Sequence, residues 1–190
     1  MRNLTYLVAC SADGFIAREN GAIDEFTFEG EHVADLLREF PETLPTHFRG
    51  ALGIEGDNRR FDTVLMGRRT YEVGLSEGIT SPYQHLEQFL FSTSLPASPD
   101  PTVELISEGA IEAVRELKAR GGLDIWLCGG SELAAALFPE IDQLIVKSNP
   151  FLMGRGKTLF AREMPKAELR LIEQRRYDSG FALLHYEISR

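Results

Sequence analysis

Two short motifs, far apart in the chain, constrain the fold more than any other feature of the sequence. In each, an apolar strand-like run leads into glycine and then into a segment of helical character; one spans Val64 to Glu72 and the other Ile125 to Glu132. A helix N-terminus presents unpaired backbone N–H groups and the positive end of the helix dipole, and glycine lets an anion approach the backbone closely. The pair therefore predicts two phosphate-binding turns in one domain, as an extended dinucleotide such as NADPH requires.

The size and charge of the chain narrow the classes of partner. A length of 190 residues fits a single domain covering 1–190. A net charge of -9 opposes binding to nucleic acid, so any positive site must be local. The first ten residues are too short for a signal peptide, and no apolar run reaches the length of a membrane span. We therefore expect a cytoplasmic protein without a membrane or nucleic-acid partner.

Strand-like and helix-like patterns alternate along most of the chain, which predicts an α/β fold with a largely parallel sheet. The strand-like runs are Leu4 to Ala9, Thr63 to Met66, Gln88 to Phe91, Val103 to Ile106, Asp124 to Leu127 and Gln143 to Lys147. The helical patterns are Glu31 to Phe40, Ala110 to Ala119 and Ser131 to Phe138. The end of the chain differs, because two extended runs, Leu169 to Tyr177 and Phe181 to Ile188, flank a short turn and predict an antiparallel hairpin.

The region Pro41 to Arg60 is rich in proline, glycine and charge, and its periodicity is weak. A loop of that length in a compact domain is either functional or mobile, although the region also has room for a short helix. The run from Gly53 to Asn58 does not have the spacing of a calcium loop, so we expect no metal site there. Cys10 and Cys128 end apolar runs, and we expect both to be reduced, packed thiols.

Four segments, taken in order, resemble the dihydrofolate reductase superfamily, and most closely its branch containing the reductase domain of bacterial riboflavin biosynthesis. They are Ser11 to Ala17, Met66 to Glu72, Cys128 to Leu133 and Gly154 to Phe160. The resemblance implies a three-layer fold, with a mainly parallel central sheet of roughly eight strands, helices on both faces and an antiparallel C-terminal strand. It also implies that NADPH lies across the C-terminal ends of the strands.

The resemblance assigns cofactor contacts to particular residues. The first phosphate-binding turn comprises Gly67, Arg68, Arg69 and Thr70. Within it, Arg68 would meet the 2′-phosphate and Thr70 would bind the pyrophosphate. A hydroxyl-rich turn after the next strand would share the adenosine phosphate, and it comprises Ser92, Thr93 and Ser94. The alternative for Arg68 and Arg69 is that they are ordinary surface cations.

The second motif would hold the pyrophosphate and the first strand would hold the nicotinamide. After Cys128, the Gly129–Gly130 pair resembles one whose connecting peptide is cis in the family; the alternative is a plain strand-to-helix turn. Backbone N–H groups for the pyrophosphate would then come from Ser131, Glu132 and Leu133. The nicotinamide would be held by Ala9, Ile16 and Ala17.

A reductase of this kind also needs a proton donor and a substrate pocket. Asp24 is the first candidate for the donor, with a helix cap or turn acid as the alternative. Asp13 lies in a loop that would close over the nicotinamide, and it is a second candidate for a catalytic role, with stabilisation of its own turn as the alternative. Relatives in this branch usually have tryptophan after the matching aspartate, whereas this chain has Glu25 and Phe26. Phe26 and the Pro41 to Arg60 region are expected where substrate enters. Lys147 would border the substrate. Lys157 would meet a substrate phosphate, with a solvent-exposed lysine as the alternative.

The resemblance implies an NADPH-dependent reductase of a pteridine- or pyrimidine-like heterocycle, by similarity 5-amino-6-(5-phosphoribosylamino)uracil. One alternative is a catalytically silent NADPH-binding protein that acts as a sensor or assembly partner. Another is a domain for a different phosphate ligand, such as a flavin. Relatives in this branch are commonly dimers, and the apolar terminal strands Leu169 to Ile172 and Phe181 to Ile188 offer an edge for a homodimer.

Overall fold

The computed structural model describes residues 1–26, 28–54 and 56–189. The strands within these ranges are β1 (Leu4–Ser11), β2 (Phe15–Ala17), β3 (Phe61–Gly67), β4 (Glu87–Phe91), β5 (Val103–Ile106), β6 (Asp124–Gly129), β7 (Gln143–Asn149), β8 (Lys157–Thr158), β9 (Glu168–Arg176) and β10 (Ala182–Ser189). The α-helices are α1 (His32–Glu39), α2 (Thr46–Ala51), α3 (Arg68–Ser76), α4 (Ala110–Ala119) and α5 (Ser131–Ala136). Single turns of 3-10 helix cover Pro41–Thr43 and Phe138–Glu140.

Among the described residues, eight strands form one sheet in the order β5-β4-β3-β6-β1-β7-β10-β9. The first six in this order are parallel to one another, and β10 runs antiparallel to both of its neighbours, β7 and β9. β2 and β8 pair separately as a small antiparallel sheet. The predicted α/β fold, with its mainly parallel sheet and antiparallel C-terminal hairpin, is confirmed.

Helices cover both faces of the sheet, which gives the predicted three layers. On one face, Val114 and Leu117 of α4 and Leu133 of α5 pack against β1, β6 and β7. On the other face, which we call the α1 face, Leu36 of α1 and Tyr71 of α3 are buried against the alternate side chains of the same strands. Because both faces are covered, β1 is buried along nearly its whole length, as its continuous apolar run predicts.

The predicted elements are present, with differences at their ends. β5 and α4 have the predicted bounds, and β1, β6 and β7 extend two residues further at their C-terminal ends. β3 begins two residues earlier and ends one residue later than predicted. The helix predicted over Ser131 to Phe138 ends at Ala136. A separate 3-10 turn begins at Phe138, because Pro139 cannot donate an α-helical hydrogen bond. The short strands β2 and β8 had no sequence signal.

The prediction that the Pro41 to Arg60 region forms a loop at the substrate entrance is wrong. It contains a 3-10 turn and the short helix α2, and it lies at the N-terminal ends of the strands. Glu42, which is fully buried, accepts hydrogen bonds from the backbone N–H groups of Arg60 and Phe61, both at 2.8 Å, where β3 begins. Thr46 donates its N–H to the carbonyl of Pro82, ahead of β4. The region is therefore anchored at the edge of the sheet opposite the predicted cofactor site.

The outermost strand of the sheet, β9, is open to solvent. Its apolar side chains Leu169, Leu171 and Ile172 are each nearly half exposed. The homodimer expected through this edge stays a prediction. In the described part of the chain, the helices are all too short or too polar to cross a bilayer.

Candidate functional site

The C-terminal ends of the parallel strands collect most of the residues predicted to bind cofactor. β3 ends at Gly67 and β6 at Gly129, and these strands are neighbours in the sheet with Met66 in register with Gly129. β1 lies on the other side of β6, and its residue Ala9 is in register with Lys147 of β7. One edge of the sheet therefore carries both glycine motifs, the predicted nicotinamide residues and Lys147.

The two glycine turns contact each other. A methyl group placed on Gly67 would lie 3.5 Å from the carbonyl oxygen of Gly129 and from the nitrogen of Gly130. One placed on Gly130 would lie 3.5 Å from Oγ1 of Thr70. The peptide between Gly129 and Gly130 is cis, so the prediction of a cis bond is confirmed. The hydroxyl of Thr70 thus faces this peptide, and the turns that start α3 and α5 form one continuous surface.

The start of α3 is open and carries two arginines. Gly67 occupies the cap position, and within the described part of the chain no side-chain hydrogen bond caps the helix start. The Arg68 side chain is 45% exposed and lies 3.6 Å from Glu72, one helical turn away, while Arg69 is exposed. An uncapped helix start beside exposed guanidinium groups is suited to a phosphate.

The hydroxyl-rich turn after β4 divides into one structural residue and two exposed ones. The buried Ser92 accepts hydrogen bonds at its hydroxyl from the N–H groups of Ser94 and Leu95, at 3.3 and 3.2 Å. Its own N–H donates to the carbonyl of Ile106, which ends β5. Ser92 therefore shapes the turn, and Thr93 and Ser94 are the members exposed at the edge.

The residues of the second motif have different environments. Ser131 and Leu133 are buried, and Glu132 is exposed with its carboxylate 3.3 Å from Arg162. The Cys128 side chain lies on the α1 face, where it hydrogen-bonds with Tyr83, and burial raises the pKa of its thiol to about 11. Cys128 and Cys10 are both free thiols, as predicted. The Cys128 thiol is thus a neutral group on the α1 face.

The segment after β1 is tied to the segment after β7. Asp13 accepts a hydrogen bond from the Ser11 hydroxyl at 2.6 Å, and others from the N–H groups of Met153 and Gly154 at 3.0 and 2.7 Å. These bonds, the one from Ser11 first, lower the Asp13 pKa to about 2. Asp13 is therefore an ionised carboxylate that holds two loops together, which does not favour it as a proton donor.

The predicted nicotinamide residues lie beside this junction. Ala9 and Ile16 are half-buried, and Ala17 is buried and pairs with Lys157 of β8. A methyl group on Gly156 would collide with the carbonyl oxygen of Ala17. The close approach of the two backbones places Lys157 on the small sheet, half-buried beside Ala17.

Asp24 and Phe26 lie on a turn outside the sheet. The Asp24 side chain is 70% exposed, and its carboxylate lies 3.6 Å from Nε of Arg18, which also pairs with Glu25. Among the described residues, no hydrogen bond or ion pair links Asp24 to the edge of the sheet. The Phe26 ring lies 5.4 Å from that of Phe151, in the segment that follows β7. The structure thus brings Phe26, but not the Asp24 carboxylate, to the segment beside the edge.

His32 is a residue of the α1 face that the sequence did not single out. It opens α1, is only 7% exposed, and stacks on Phe181 with 3.8 Å between ring centroids. Its Nδ1 atom is enclosed and lacks a hydrogen-bond partner in the described part of the chain. Burial, with a smaller effect from the Lys147 charge, lowers the His32 pKa. The sequence offers one signal for it: His32 lies four residues before Leu36, which puts a polar residue on the apolar face of the helix.

Comparison with known proteins identifies the family. Residues 103–183 match the RibD C-terminal domain. The uncharacterised protein YwjB of Bacillus subtilis (strain 168) is 32% identical over 188 residues, which cover 97% of each chain. A second uncharacterised protein of that organism, YyaP, is 21% identical over 198 residues, covering 97% of this chain and 94% of YyaP.

Solved structures show the same fold. A putative riboflavin biosynthesis protein from Shewanella superposes with a TM-score of 0.72 at 22% identity, with full coverage of both chains. The dihydrofolate reductase of Enterococcus faecalis, crystallised with NADP(H), gives 0.65 at 18% identity over 99% of this chain and 97% of the reductase. The bifunctional deaminase/5-amino-6-(5-phosphoribosylamino)uracil reductase of Thermotoga maritima gives 0.63 at 15% identity, over 99% of this chain and 57% of that protein. With its dihydrofolate reductase-like sheet and its full-length relative, the chain belongs to the RibD C-terminal domain family.

Proposed function

We propose that this protein is an NADPH-dependent reductase of a pyrimidine- or pteridine-like heterocycle. The observation that carries the proposal is the contact between the Gly67–Thr70 turn and the Gly129–Gly130 turn at the C-terminal edge of the sheet. Two adjoining helix starts offer N–H donors to neighbouring phosphates of one ligand, and the arginines at α3 add charge beside them. Membership in the RibD C-terminal domain family supports oxidoreductase chemistry.

In this proposal the chain binds, orients and shields the reactants. Arg68 leaves its contact with Glu72 to bind the 2′-phosphate, and Thr70 donates its hydroxyl to the pyrophosphate. NADPH supplies the hydride when it is bound. Ala9 and Ile16 present apolar surface to the nicotinamide, and the junction held by Asp13 limits the access of water to that ring.

The α1 face at the same edge is the proposed substrate side. It is lined by Lys147 and by apolar groups that include Phe181 and Leu183, which is in register with Lys147. A flat heterocycle fits such a surface because it combines apolar ring faces with polar edges. The Thermotoga maritima neighbour is named as a 5-amino-6-(5-phosphoribosylamino)uracil reductase, and we propose a substrate of that type. Lys157 is proposed to meet a phosphate on such a substrate.

A cofactor titration tests the proposal. NADPH, NADP and NADH are added to the purified protein and binding is followed by nicotinamide fluorescence, in the wild type and in Arg68→Ala. Loss of a charged hydrogen bond to phosphate costs about 1.5–3 kcal/mol, so the variant should bind NADPH roughly 10- to 150-fold more weakly. Its affinity for NADH should be nearly unchanged, because NADH lacks the 2′-phosphate.

A matched control separates a local effect from a general change in charge. Arg120 is also about half exposed and lies 3.9 Å from Glu87, before the N-terminal end of β6. Arg120→Ala should bind NADPH as the wild type does. A wild type that binds none of the three nucleotides would remove the reductase proposal, and a yellow purified protein would point to a flavin instead.

One observation keeps a catalytically silent NADPH-binding protein as the second candidate. Of the two predicted acids, Asp24 is exposed beside Arg18 and Asp13 is a hydrogen-bonded carboxylate, so neither is placed to donate a proton. Absorbance of the reduced nicotinamide separates the candidates. Oxidation of bound NADPH on addition of 5-amino-6-(5-phosphoribosylamino)uracil supports the reductase, and tight binding without oxidation of NADPH by that compound supports the silent protein.

A further inference from the structure

Lys147 occupies the centre of the proposed substrate side. It lies on β7 between Ala9 of β1 and Leu183 of β10, and it is in register with both. Because side chains alternate along a strand, Lys147 points to the same α1 face as Ile145, two residues earlier, which is buried there. On the β1 side, the neighbouring residue Ala9 carries only a methyl group. The ammonium group therefore lies at the edge of the sheet where the proposed substrate binds.

The charge of Lys147 is not compensated inside the protein. The side chain is half-buried, yet no carboxylate of the described residues lies within ion-pair distance of its Nζ atom. The other buried lysine, Lys118, shows the usual arrangement: its Nζ lies 2.7 Å from a carboxylate oxygen of Asp142 and also donates to the carbonyl of Glu140. A half-buried cation without a counter-ion carries a desolvation cost.

The two titratable groups that interact with Lys147 from neighbouring elements are neutral near pH 7. The Cys128 thiol on β6 has a raised pKa, and the His32 imidazole on α1 has a lowered one. The Asp35 carboxylate, one turn along α1, accepts a hydrogen bond from the Tyr177 hydroxyl at 3.0 Å and pairs with Arg38. Desolvation lowers the pKa of Lys147 as well. The carboxylate on α1 is thus already paired, and the neighbouring thiol and imidazole are neutral, so no described carboxylate pairs with this ammonium group.

We propose that Lys147 is the specificity-determining residue of the site. Its ammonium group donates a hydrogen bond to a carbonyl oxygen attached to the ring of the substrate heterocycle. The inference rests on the proposed function. An ammonium group is a donor only, so it favours a ring that presents an oxygen there over one that presents an amino group, whose hydrogens would meet those of the lysine.

Two small rings that differ at these positions provide the test. At ring positions 2 and 4, 5-aminouracil carries carbonyl oxygens and 2,4-diaminopyrimidine carries amino groups. Each compound is titrated calorimetrically into the protein saturated with NADP. The wild type should bind 5-aminouracil at least about tenfold more tightly than 2,4-diaminopyrimidine, as expected for one charge-assisted hydrogen bond. Lys147→Met should lose that preference, and Lys147→Arg should keep part of it. Lys166→Met, which changes an exposed lysine paired with Glu168, is the control and should bind as the wild type does.

A second readout does not depend on ligand. Because Lys147→Met removes an uncompensated charge, its melting temperature without ligand should equal or exceed that of the wild type. A Lys147→Met protein that binds 5-aminouracil within about threefold of the wild type overturns the inference. So does a wild type that takes up NADP but neither ring, or that prefers 2,4-diaminopyrimidine; these results leave the cofactor proposal intact. Failure of NADP itself to bind instead overturns the proposed function.

Discussion

Replacing Glu42 should separate the stability of this fold from its proposed function. The side chain is fully buried and accepts three backbone hydrogen bonds, from the N–H groups of Arg60 and Phe61 at 2.8 Å and of Arg59 at 3.3 Å. Its own carbonyl accepts a hydrogen bond from the His85 ring at 2.8 Å. One residue therefore joins the Pro41–Thr43 turn to the starts of β3 and β4.

The expected cost follows from these contacts. A hydrogen bond to a charged group contributes about 1.5–3 kcal/mol, and a buried donor left without an acceptor costs about 1–3 kcal/mol. Glu42→Ala leaves the N–H groups of Phe61 and Arg60 without their acceptor, whereas the exposed Arg59 turns to water. We expect a loss of about 3–5 kcal/mol in the free energy of unfolding. Glu42→Gln keeps one oxygen for the two short bonds and should lose about 1–3 kcal/mol.

Urea unfolding followed by circular dichroism measures the free energy of unfolding, and NADPH titration of the folded variants measures the site. Because Glu42 lies at the N-terminal edge of the sheet, NADPH affinity should not change in Glu42→Gln. A Glu42→Ala protein within about 1 kcal/mol of the wild type would refute the role of the three bonds. Weaker NADPH binding by a fully folded Glu42→Gln would refute the separation of this region from the cofactor edge.

Two further predictions concern charge. Asp13→Asn should loosen the junction between the loops after β1 and β7, because an amide cannot accept all three hydrogen bonds that the carboxylate accepts. Amide hydrogen exchange at Met153 and Gly154 should therefore be faster in the variant, and unchanged exchange would argue against this role. The second prediction is that stability falls in mild acid, because burial holds three histidine pKa values below 6.5 in the folded protein, those of His32, His85 and His185. The unfolded chain then binds more protons, so the free energy of unfolding should decrease as the pH falls from 7 through 6.5 toward those lowered values, and replacement of His85 by glutamine should weaken this dependence.

The parts of this fold that the sequence predicts are those with a local pattern. Val103 to Ile106 and Ala110 to Ala119 have the predicted bounds because a short apolar run and a one-faced helix depend on spacing alone. The glycine turns were also predictable. A strand that ends in glycine before a helix is a local signal, and parallel strands bring such ends to one edge.

The parts that were missed depend on contacts between distant segments. β2 and β8 are three and two residues long, and they pair where Asp13 ties the loop after β1 to a segment about 140 positions away in the chain. Glu42 looks like any surface acid in the sequence, yet it is buried because three backbone donors converge on it at the start of β3. Neither environment has a periodic or local signature.

The proton donor shows the same limit most sharply. The resemblance to dihydrofolate reductases points to Asp24, but Asp24 lies on an exposed turn where its carboxylate contacts solvent and Arg18. The α1 face presents two other proton carriers, Lys147 with a pKa lowered from 10.5 and His32 with one lowered from 6.5. Burial in the folded protein is the main cause of both shifts. For a reductase, the structure therefore directs the search for the proton donor toward Lys147. The free nitrogen of His32, Nδ1, is enclosed within the protein. Loss of NADPH oxidation in Lys147→Met but not in Asp24→Asn would support that choice, and the reverse result would restore Asp24.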